Sequence, residues 1–219
     1  MRLVVHPHPQ DAREVLSQDL QLLRSGEEAV AVGRFSEVAV TLGVSQRGTF
    51  PGLSLALARD LPVLSRPSGG VGLLHRPGDV HFAWVIPRGS PHFPPRFPDA
   101  YTLLGAGVVS WLKGQGLQAR WDPAPGSFPG YCLTSARGKV LTAAGRVLGG
   151  ASQYVTHHAL LHHGVIATSL DPPLLESLFG LPRDLADHQL TSLEREGLQR
   201  PGTKALEELA REISLPTSP

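Results

Sequence analysis

Apolar residues recur at helical spacing in two long segments of the chain. In residues 11–24 they lie three or four positions apart, and Gly26 ends the run. Residues 99–115 show the same spacing, with Asp99 as the predicted N-cap. Both patterns predict amphipathic helices that pack on a sheet. Shorter helical segments are predicted at residues 50–60, 172–179 and 202–213.

Valine-rich and leucine-rich runs predict strands between these helices. Residues 29–32 and 37–42 are separated by Gly33 and are predicted to pair with each other. Apolar runs at 61–64, 71–74 and 80–86, with Pro- and Gly-containing breaks between them, predict an antiparallel meander. Further strands are predicted at 117–121, 139–142, 146–148, 152–156 and 160–170. Residues 139–148 are predicted to form a hairpin, and Gly149 and Gly150 are predicted to separate its second strand from the strand at 152–156. Residues 88–98 contain four prolines and predict an irregular loop.

Together these elements predict an α/β (α+β) protein whose mixed, mainly antiparallel sheet is flanked by helices. We expect one domain over residues 1–219, ending in a helical tail from 190 to 219. A chain of 219 residues with 41% hydrophobic content can bury a sizeable core.

Charge and terminal composition narrow the expected partners and location. The formal net charge of +1 gives no basic surface for nucleic acid or an anionic membrane. The first ten residues lack the apolar core of a signal peptide, and no apolar run reaches the length of a membrane span. We therefore expect a cytoplasmic protein that binds neither nucleic acid nor membranes.

The Gly-rich break after residue 65 is a candidate ligand site. Gly69 and Gly70 allow the backbone to approach a ligand, and N–H groups beside Arg66 and Ser68 would suit a phosphate or a carboxylate. His75 ends the next predicted strand at the same place. An ordinary turn with a surface arginine would have the same sequence, so this segment alone leaves both interpretations open.

Cysteine and histidine supply the remaining candidate chemistry. The single cysteine, Cys132, is either a small buried apolar residue or a nucleophile. Four histidines lie close together in the sequence, but their spacing is not that of a structural zinc site, which usually includes cysteine. We therefore expect no bound metal. These histidines are His157, His158, His162 and His163.

The order of motifs from about residue 15 to residue 193 resembles that of the lipoate–protein ligases and octanoyltransferases, relatives of biotin–protein ligase. The segment from Arg66 to His75, RPSGGVGLLH, is similar to the family's Arg-x-Thr/Ser-Gly-Gly-Gly signature and its following His. Asp19 stands where the first helix of the family usually carries an acid. Weaker similarities to Leu-Gly-x-x-Gln, Gly-x-Lys-Ile-x-Gly-Ser-Ala-Gln, His-Gly and Thr-Ser-Leu occur at residues 41–46, 145–153, 163–164 and 191–193. The resemblance implies the fold of the biotin/lipoate ligase catalytic domain.

The resemblance also implies an acyl or acyl-phosphate pocket and a nucleophile. Cys132 lies where the cysteine-dependent octanoyl- and amidotransferases of the family carry theirs, after a Pro/Gly-rich loop. Val71 replaces the third glycine of the first motif, and Val147 replaces a lysine that contacts the acyl carboxyl in the family; Arg146 and Lys139 are candidate substitutes for that lysine. The implied pocket residues are Arg66, Ser68, Gly69, Gly70, Gly72, His75, Gly150, Ser152, His163 and Gly164.

Three functions are compatible with these residues. The first is transfer of an octanoyl or lipoyl group from a thioester or carrier-protein donor to a lysine of a lipoyl carrier domain, through an acyl-enzyme on Cys132. The second is ATP-dependent ligation of lipoate, and the third is non-catalytic binding of an acyl group or a partner subunit. The expected partners are a lipoyl carrier domain or an acyl carrier protein. No covalently bound cofactor is expected, and ATP and Mg²⁺ enter only in the ligase hypothesis.

Overall fold

The computed structural model describes residues 1–46, 50–135 and 139–214. Its described helices are α1 (Ala12–Ser25), α2 (Leu53–Ala58), α3 (Phe97–Gly114), α4 (Pro172–Phe179), α5 (Arg183–Gln189) and α6 (Thr203–Ser214). Its described strands are β1 (Arg2–Val5), β2 (Ala29–Arg34), β3 (Ala39–Leu42), β4 (Val63–Ser65), β5 (Leu73–His75), β6 (Val80–Pro87), β7 (Ala119–Pro123), β8 (Lys139–Ala143), β9 (Arg146–Val155) and β10 (Ala159–Ile166).

The strands form two sheets. Seven of them build a large sheet in the order β1-β2-β6-β10-β9-β8-β7, and three build a small sheet in the order β4-β3-β5. Only the β1–β2 and β3–β4 pairs are parallel among these strands. The prediction of a mixed, mainly antiparallel α/β architecture is therefore confirmed.

Helices cover both faces of the large sheet. On one face α1 contacts β6 and β10, and its apolar side chains join the buried residues of β2 and β10. On the other face α3 and α6 pack against each other and enclose a second core with Phe82, Trp84 and Leu148. The small sheet, α2, α4 and α5 share a third core. None of the described helices is long and apolar enough to cross a membrane.

Local capping signals set both ends of α1. Asp11 caps the helix by accepting a hydrogen bond from the Glu14 backbone N–H at 2.7 Å, and the Glu14 carboxylate accepts one from the Asp11 N–H at 3.1 Å. Gly26 ends the helix with a φ of 67°, which glycine adopts without strain. This reciprocal cap and glycine stop fix the ends of the helix that carries Asp19.

Two strand pairings predicted from the sequence are wrong. The strands at 29–32 and 37–42 do not pair with each other, because β2 lies between β1 and β6 while β3 lies in the small sheet. The runs at 61–64, 71–74 and 80–86 do not form a meander either, since β4 and β5 flank β3 and β6 belongs to the large sheet. The reason is that β6 is buried along nearly its whole length on both faces, so its apolar run does not indicate which partner it takes.

Several predicted boundaries also need correction. Gly149 and Gly150 do not separate two strands, because β9 continues through both residues. Asp99 is not the N-cap of α3, which begins after Arg96; instead the Asp99 carboxylate accepts a hydrogen bond from Arg96 Nε at 2.9 Å in the first turn. In the predicted helical tail, helix begins only at Thr203, and α6 packs in the core on α3 and β2.

Candidate active site

A pocket lies where α1, the small sheet and the large sheet meet. It encloses about 620 Å³, including its open mouth. Most of its wall is apolar, and its polar groups come from α1, β3, β5, β6, β9, β10 and the loops after β4 and β7. Because most of the exposed surface of the pocket is apolar, it suits a ligand that has an apolar chain and one reactive end. The apolar lining is Val15, Leu16, Phe35, Leu73, Leu133, Val140, Ala151 and Val165, and the polar lining is Asp19, Thr41, Arg66, His75, His81, Cys132, Ser152 and His163.

Arg66 is the buried cation of this pocket. One end of its guanidinium donates to Thr41, at 2.9 Å to the carbonyl and 3.0 Å to the hydroxyl. The other nitrogen, Nη2, donates to the carbonyls of Gly69 at 3.1 Å and Val71 at 2.8 Å, and to Cys132 Sγ at 3.5 Å. Burial lowers the pKa of Arg66 and the neighbouring Cys132 opposes this, but a guanidinium remains protonated at neutral pH. Arg66 thus joins the Gly-rich loop to the cysteine.

The Gly-rich loop passes close to the Cys132 thiol. Gly70 has a φ of 95°, and a Cβ placed on it would lie 2.8 Å from both Arg66 Nη2 and Cys132 Sγ. The Gly72 carbonyl accepts a hydrogen bond from the Cys132 N–H at 2.9 Å. The Gly72 N–H in turn donates to Gln46 Oε1 at 2.5 Å. Three separate sequence segments therefore meet at Gly72.

Cys132 is a free cysteine on the loop between β7 and β8. It is partly exposed and borders the pocket, whereas its neighbours Tyr131 and Leu133 are buried in the core. The two buried neighbours anchor the loop and leave the thiol at the pocket wall. The prediction that Cys132 is a nucleophile is thus compatible with its position.

His75 is fixed as a neutral ring. Its Nε2 lies 2.8 Å from Thr41 Oγ1. Because Arg66 can only donate to that hydroxyl, the Thr41 O–H is free to donate to Nε2, which leaves the His75 proton on Nδ1. Burial lowers the pKa of His75 well below its usual value, and the positive charge of Arg66 lowers it further.

A second hydrogen-bonded network runs through the pocket from Ser152 to Asp19. Ser152 Oγ donates to Ser68 Oγ at 2.7 Å, and Ser68 Oγ lies 2.7 Å from His163 Nε2. His163 Nδ1 lies 2.6 Å from Asp19 Oδ2, and His81 Nε2 approaches the same oxygen at 3.2 Å. Burial by itself would raise the pKa of Asp19, but the two histidines outweigh it and hold that pKa below its usual range.

The donor atoms of Asp19, His81 and His163 lie within 4.8 Å of one another, a spacing compatible with a metal ion. Hydrogen bonds from both histidines to Asp19 Oδ2 already account for this arrangement. Sequence reasoning placed an acid at Asp19 but missed His81, whose position on a buried strand carries no signal of a site. The expected absence of a metal remains a prediction.

The structure brings most of the predicted site residues together. Gly150, Ser152, His163 and Gly164 line the pocket with Arg66 and His75. Ser68 lies fully buried behind it and contacts both His163 and Ser152. Gly69 is not closely packed as Gly70 is, because a Cβ placed on Gly69 would meet no heavy atom within 4 Å.

The position of the missing family lysine is apolar. Val147 is buried in the same core as Leu133 and Val140. Arg146 does not replace the lysine, because its Nη2 pairs with Glu196 Oε1 at 2.8 Å. The side chain of Lys139 lies outside the part of the chain that the structure describes. Arg66 is thus the cation that the described structure places against the thiol.

The four neighbouring histidines do not form one cluster. His157 and His158 are exposed in the turn between β9 and β10. His162 and His163 are adjacent on β10 and point to opposite faces of the sheet, so only His163 borders the pocket.

The family model of the lipoyl protein ligase A/B catalytic domain matches residues 15–215. The chain belongs to this family. The match covers most of the chain and includes the Gly-rich loop, Cys132 and the Ser152–Asp19 network, so the prediction from the motif order is confirmed.

Two curated relatives of the chain are named octanoyltransferases. The chain is 27% identical over 139 residues to octanoyltransferase LipM of Geobacillus kaustophilus, which covers 59% of this chain and 50% of that protein. It is 26% identical over 181 residues to octanoyltransferase LipM of an Exiguobacterium species, covering 78% and 61%. The chain thus spans about half to three fifths of the length of these relatives.

Solved structures share the fold. A lipoate–protein ligase A bound with ATP superposes with a TM-score of 0.77 at 19% identity, covering 97% of this chain and 83% of that chain. A bipartite lipoate protein ligase of Thermoplasma acidophilum, studied with its E2 lipoyl domain, gives a TM-score of 0.75 at 18% identity, covering 97% and 82%. The expected lipoate ligase catalytic-domain fold is therefore confirmed.

Proposed function

We propose that the protein is an octanoyltransferase that carries the acyl group on Cys132 and delivers it to a lysine of a lipoyl carrier domain. The observation that carries this proposal is the Cys132 thiol, which borders an apolar pocket and receives an Arg66 N–H at 3.5 Å. The apolar wall fits an acyl chain, and the thiol lies at the polar groups where the acyl carbonyl would be placed.

The proposed reaction has two balanced steps. In the first, the Cys132 thiolate attacks the carbonyl of an octanoyl thioester, a C–S bond to the enzyme forms, and the donor thiolate leaves. In the second, a carrier lysine amine attacks the enzyme thioester, the amide bond forms, and the Cys132 thiolate leaves while the amine loses a proton. Sulfur is a good nucleophile and a good leaving group, so it suits both steps.

Arg66 is the group that the structure offers to stabilise the sulfur. Negative charge resides on Cys132 Sγ when it attacks and when it leaves, and a donating guanidinium nearby stabilises that charge in both cases. The same arginine holds the Gly69 and Val71 carbonyls, so the loop and the cation are positioned together.

Val147 favours transfer over ligation. Ligation must activate a free carboxylate, which places charge on the carboxyl and the α-phosphate, and a fixed cation there contributes about 10²–10³ in rate. The buried Val147 supplies none. A thioester arrives already activated, so a transferase loses less when this lysine is absent.

A gel-shift or mass assay on a lipoyl carrier domain tests the proposal. Wild-type protein and Cys132→Ala are each incubated with an octanoyl thioester, and in parallel with lipoate, ATP and Mg²⁺. We expect modification by the wild type with the thioester alone, and none by Cys132→Ala. Modification with ATP that persists in Cys132→Ala would instead establish a ligase, and no modification by the wild type in either reaction would favour a non-catalytic binding protein.

A further inference from the structure

We propose that Ser152, Ser68, His163 and Asp19 form a proton relay that accepts the proton of the attacking lysine amine in the second step. The inference rests on the proposed transferase function and adds a base to it. Ser152 is the member of the relay that would contact the amine, and the other three act through it.

The relay is continuous and its direction is defined. Ser152 donates to Ser68 at 2.7 Å, and Ser68 is left to donate to His163 Nε2, also at 2.7 Å. This requires the His163 proton to be on Nδ1, which lies 2.6 Å from Asp19 Oδ2. Each hydroxyl can therefore accept a proton from one side while it releases its own to the other.

Asp19 fixes the ring of His163 in the form that a base needs. The carboxylate accepts the Nδ1–H of His163, which leaves Nε2 with a lone pair facing Ser68. His81 Nε2, at 3.2 Å, is a second potential donor to the same oxygen and would help keep the carboxylate ionised. When His163 becomes protonated, Asp19 stabilises the imidazolium.

Burial directs the proton through the hydroxyls. His163 borders the pocket, but both of its ring nitrogens are already within hydrogen-bonding distance of Asp19 and Ser68. Ser68 is 0% exposed, whereas Ser152 is partly exposed and lines the pocket. A group bound in the pocket therefore reaches the His163 base through Ser152 and Ser68.

The second step needs such a base. A lysine amine has a pKa of about 10.4 in water and is protonated at neutral pH, so it has no lone pair and must lose a proton before it attacks. Val147 cannot accept one, and Arg66 carries no lone pair. Burial and the positive charge of Arg66 hold the pKa of His75 well below its usual value, which disfavours its protonation. We therefore assign the role of base to the Ser152–Asp19 network, whose outer hydroxyl lines the pocket.

The proton balance closes within the second step. Before the attack, one proton of the lysine ammonium passes to Ser152, the Ser152 proton to Ser68, and the Ser68 proton to His163 Nε2. The neutral amine then bonds to the acyl carbon. The tetrahedral intermediate collapses, the C–S bond breaks, the Cys132 thiolate leaves with its electron pair, and the nitrogen loses its second proton to solvent as the amide forms. His163 afterwards returns its proton to solvent through the same hydroxyls.

The experiment separates the two steps with two acceptors. Acyl-enzyme is first formed on Cys132 with an octanoyl thioester and checked by intact mass, then mixed with either the carrier domain or hydroxylamine. Hydroxylamine is a neutral nucleophile at pH 7 and does not need deprotonation before attack. The proteins compared are wild type, Ser68→Ala, Ser152→Ala and His163→Gln, with His157→Gln as a matched control in the exposed turn before the same strand.

Once their acyl-enzyme has formed, we expect the three relay variants to transfer the octanoyl group to the carrier lysine about a hundredfold more slowly than the wild type. Transfer to hydroxylamine should change about twofold or less, and the deficit with lysine should shrink as the pH rises towards the lysine pKa. His157→Gln should match the wild type with both acceptors.

Four outcomes would overturn the relay. Wild-type transfer to lysine by Ser68→Ala and Ser152→Ala would exclude the hydroxyls, and equal losses with both acceptors would show only a structural effect. Loss of wild-type lysine transfer on chelation, restored by Zn²⁺, would assign Asp19, His81 and His163 to a metal ion instead. Absence of acyl-enzyme in the wild type would overturn the proposed function, and the relay with it.

Discussion

At the scale of single residues, the site depends on how buried polar groups are partnered. Arg66 is buried, yet its N–H groups have acceptors on Thr41, Gly69, Val71 and Cys132. Buried charge of this kind is tolerated because it is hydrogen-bonded, and the arrangement leaves the guanidinium in contact with the thiol. The same side chain therefore stabilises the loop and supplies the positive charge that the proposed chemistry needs.

His162 shows the opposite situation on the other face of β10. It is buried, and neither of its ring nitrogens has a hydrogen-bond partner among the described residues. Burial, together with a smaller effect of the nearby His163, lowers the pKa of His162 from 6.5 to about 3. The folded state thus holds His162 neutral, whereas the unfolded chain takes up a proton below pH 6.5. The stability that this residue contributes is present above pH 6.5 and is lost as the pH falls towards 3.

We expect His162→Leu to lessen this acid sensitivity. The free energy of unfolding of the variant, relative to wild type, should increase by up to about 1.4 kcal/mol per pH unit as the pH falls from 6.5 to 3. Urea titrations at several pH values measure the difference, and His157→Gln, in the exposed turn, should track the wild type. A difference that stays constant with pH would show that His162 does not titrate in this way.

The residues of the site divide into those that a motif identifies and those that only the fold brings together. Arg66, His75 and Cys132 stand in segments that resemble the family's motifs, and all three line the pocket. His81 lies 62 residues from Asp19 and meets it only through the packing of α1 on β6. No local pattern reveals such a contact, since each residue by itself resembles an ordinary core position.

At the scale of elements, the position of the Gly-rich loop depends on close backbone contact with β3. A Cβ on Gly43 would lie 2.3 Å from the Gly70 carbonyl oxygen and 2.6 Å from that of Gly69. These are backbone atoms that no side-chain rotation can move. Gly43 therefore lets the strand end and the loop approach each other, and this approach sets the distance from the loop to Cys132.

We expect Gly43→Ala to displace the loop and Gly69→Ala to leave it in place. The first should lower the free energy of unfolding by about 1–3 kcal/mol and slow acyl-enzyme formation. Gly69→Ala adds a methyl group where no heavy atom lies within 4 Å, so its effect on stability should stay within about 0.5 kcal/mol. Urea unfolding and the acylation rate measure both variants. Equal effects at the two positions would contradict the role given to Gly43.

Element type was more predictable than element partnership. The helices α1 and α4 and the β8–β9 hairpin were predicted close to their observed positions because their caps, proline and turn glycine are local signals. The pairings of β2, β3 and β6 were wrong because these strands are buried on both faces and carry no alternation that marks a partner. Helix α5 was missed, since it is short and has no capping side chain.

At the scale of the whole molecule, the pocket lies between two sheets rather than within one. Arg66, the Gly-rich loop and His75 come from the small sheet and its connections, whereas Ser152, His163 and His81 come from the large sheet. Cys132 lies on the loop that follows β7, the edge strand of the large sheet, and is hydrogen-bonded to Gly72 and Arg66. Ser68, in the same Gly-rich loop as Arg66, bonds to Ser152 and His163 of the large sheet, so the proposed relay crosses from one sheet to the other.

The proposed function requires Cys132 to carry the acyl group, which intact-protein mass spectrometry can detect after the protein is mixed with octanoyl-carrier protein. We expect a mass increase of one octanoyl group on the wild type, mapped by peptide analysis to Cys132, removed by hydroxylamine and absent from Cys132→Ala. An octanoyl group found on another residue, or an unmodified wild-type protein that nevertheless octanoylates the carrier domain, would contradict it.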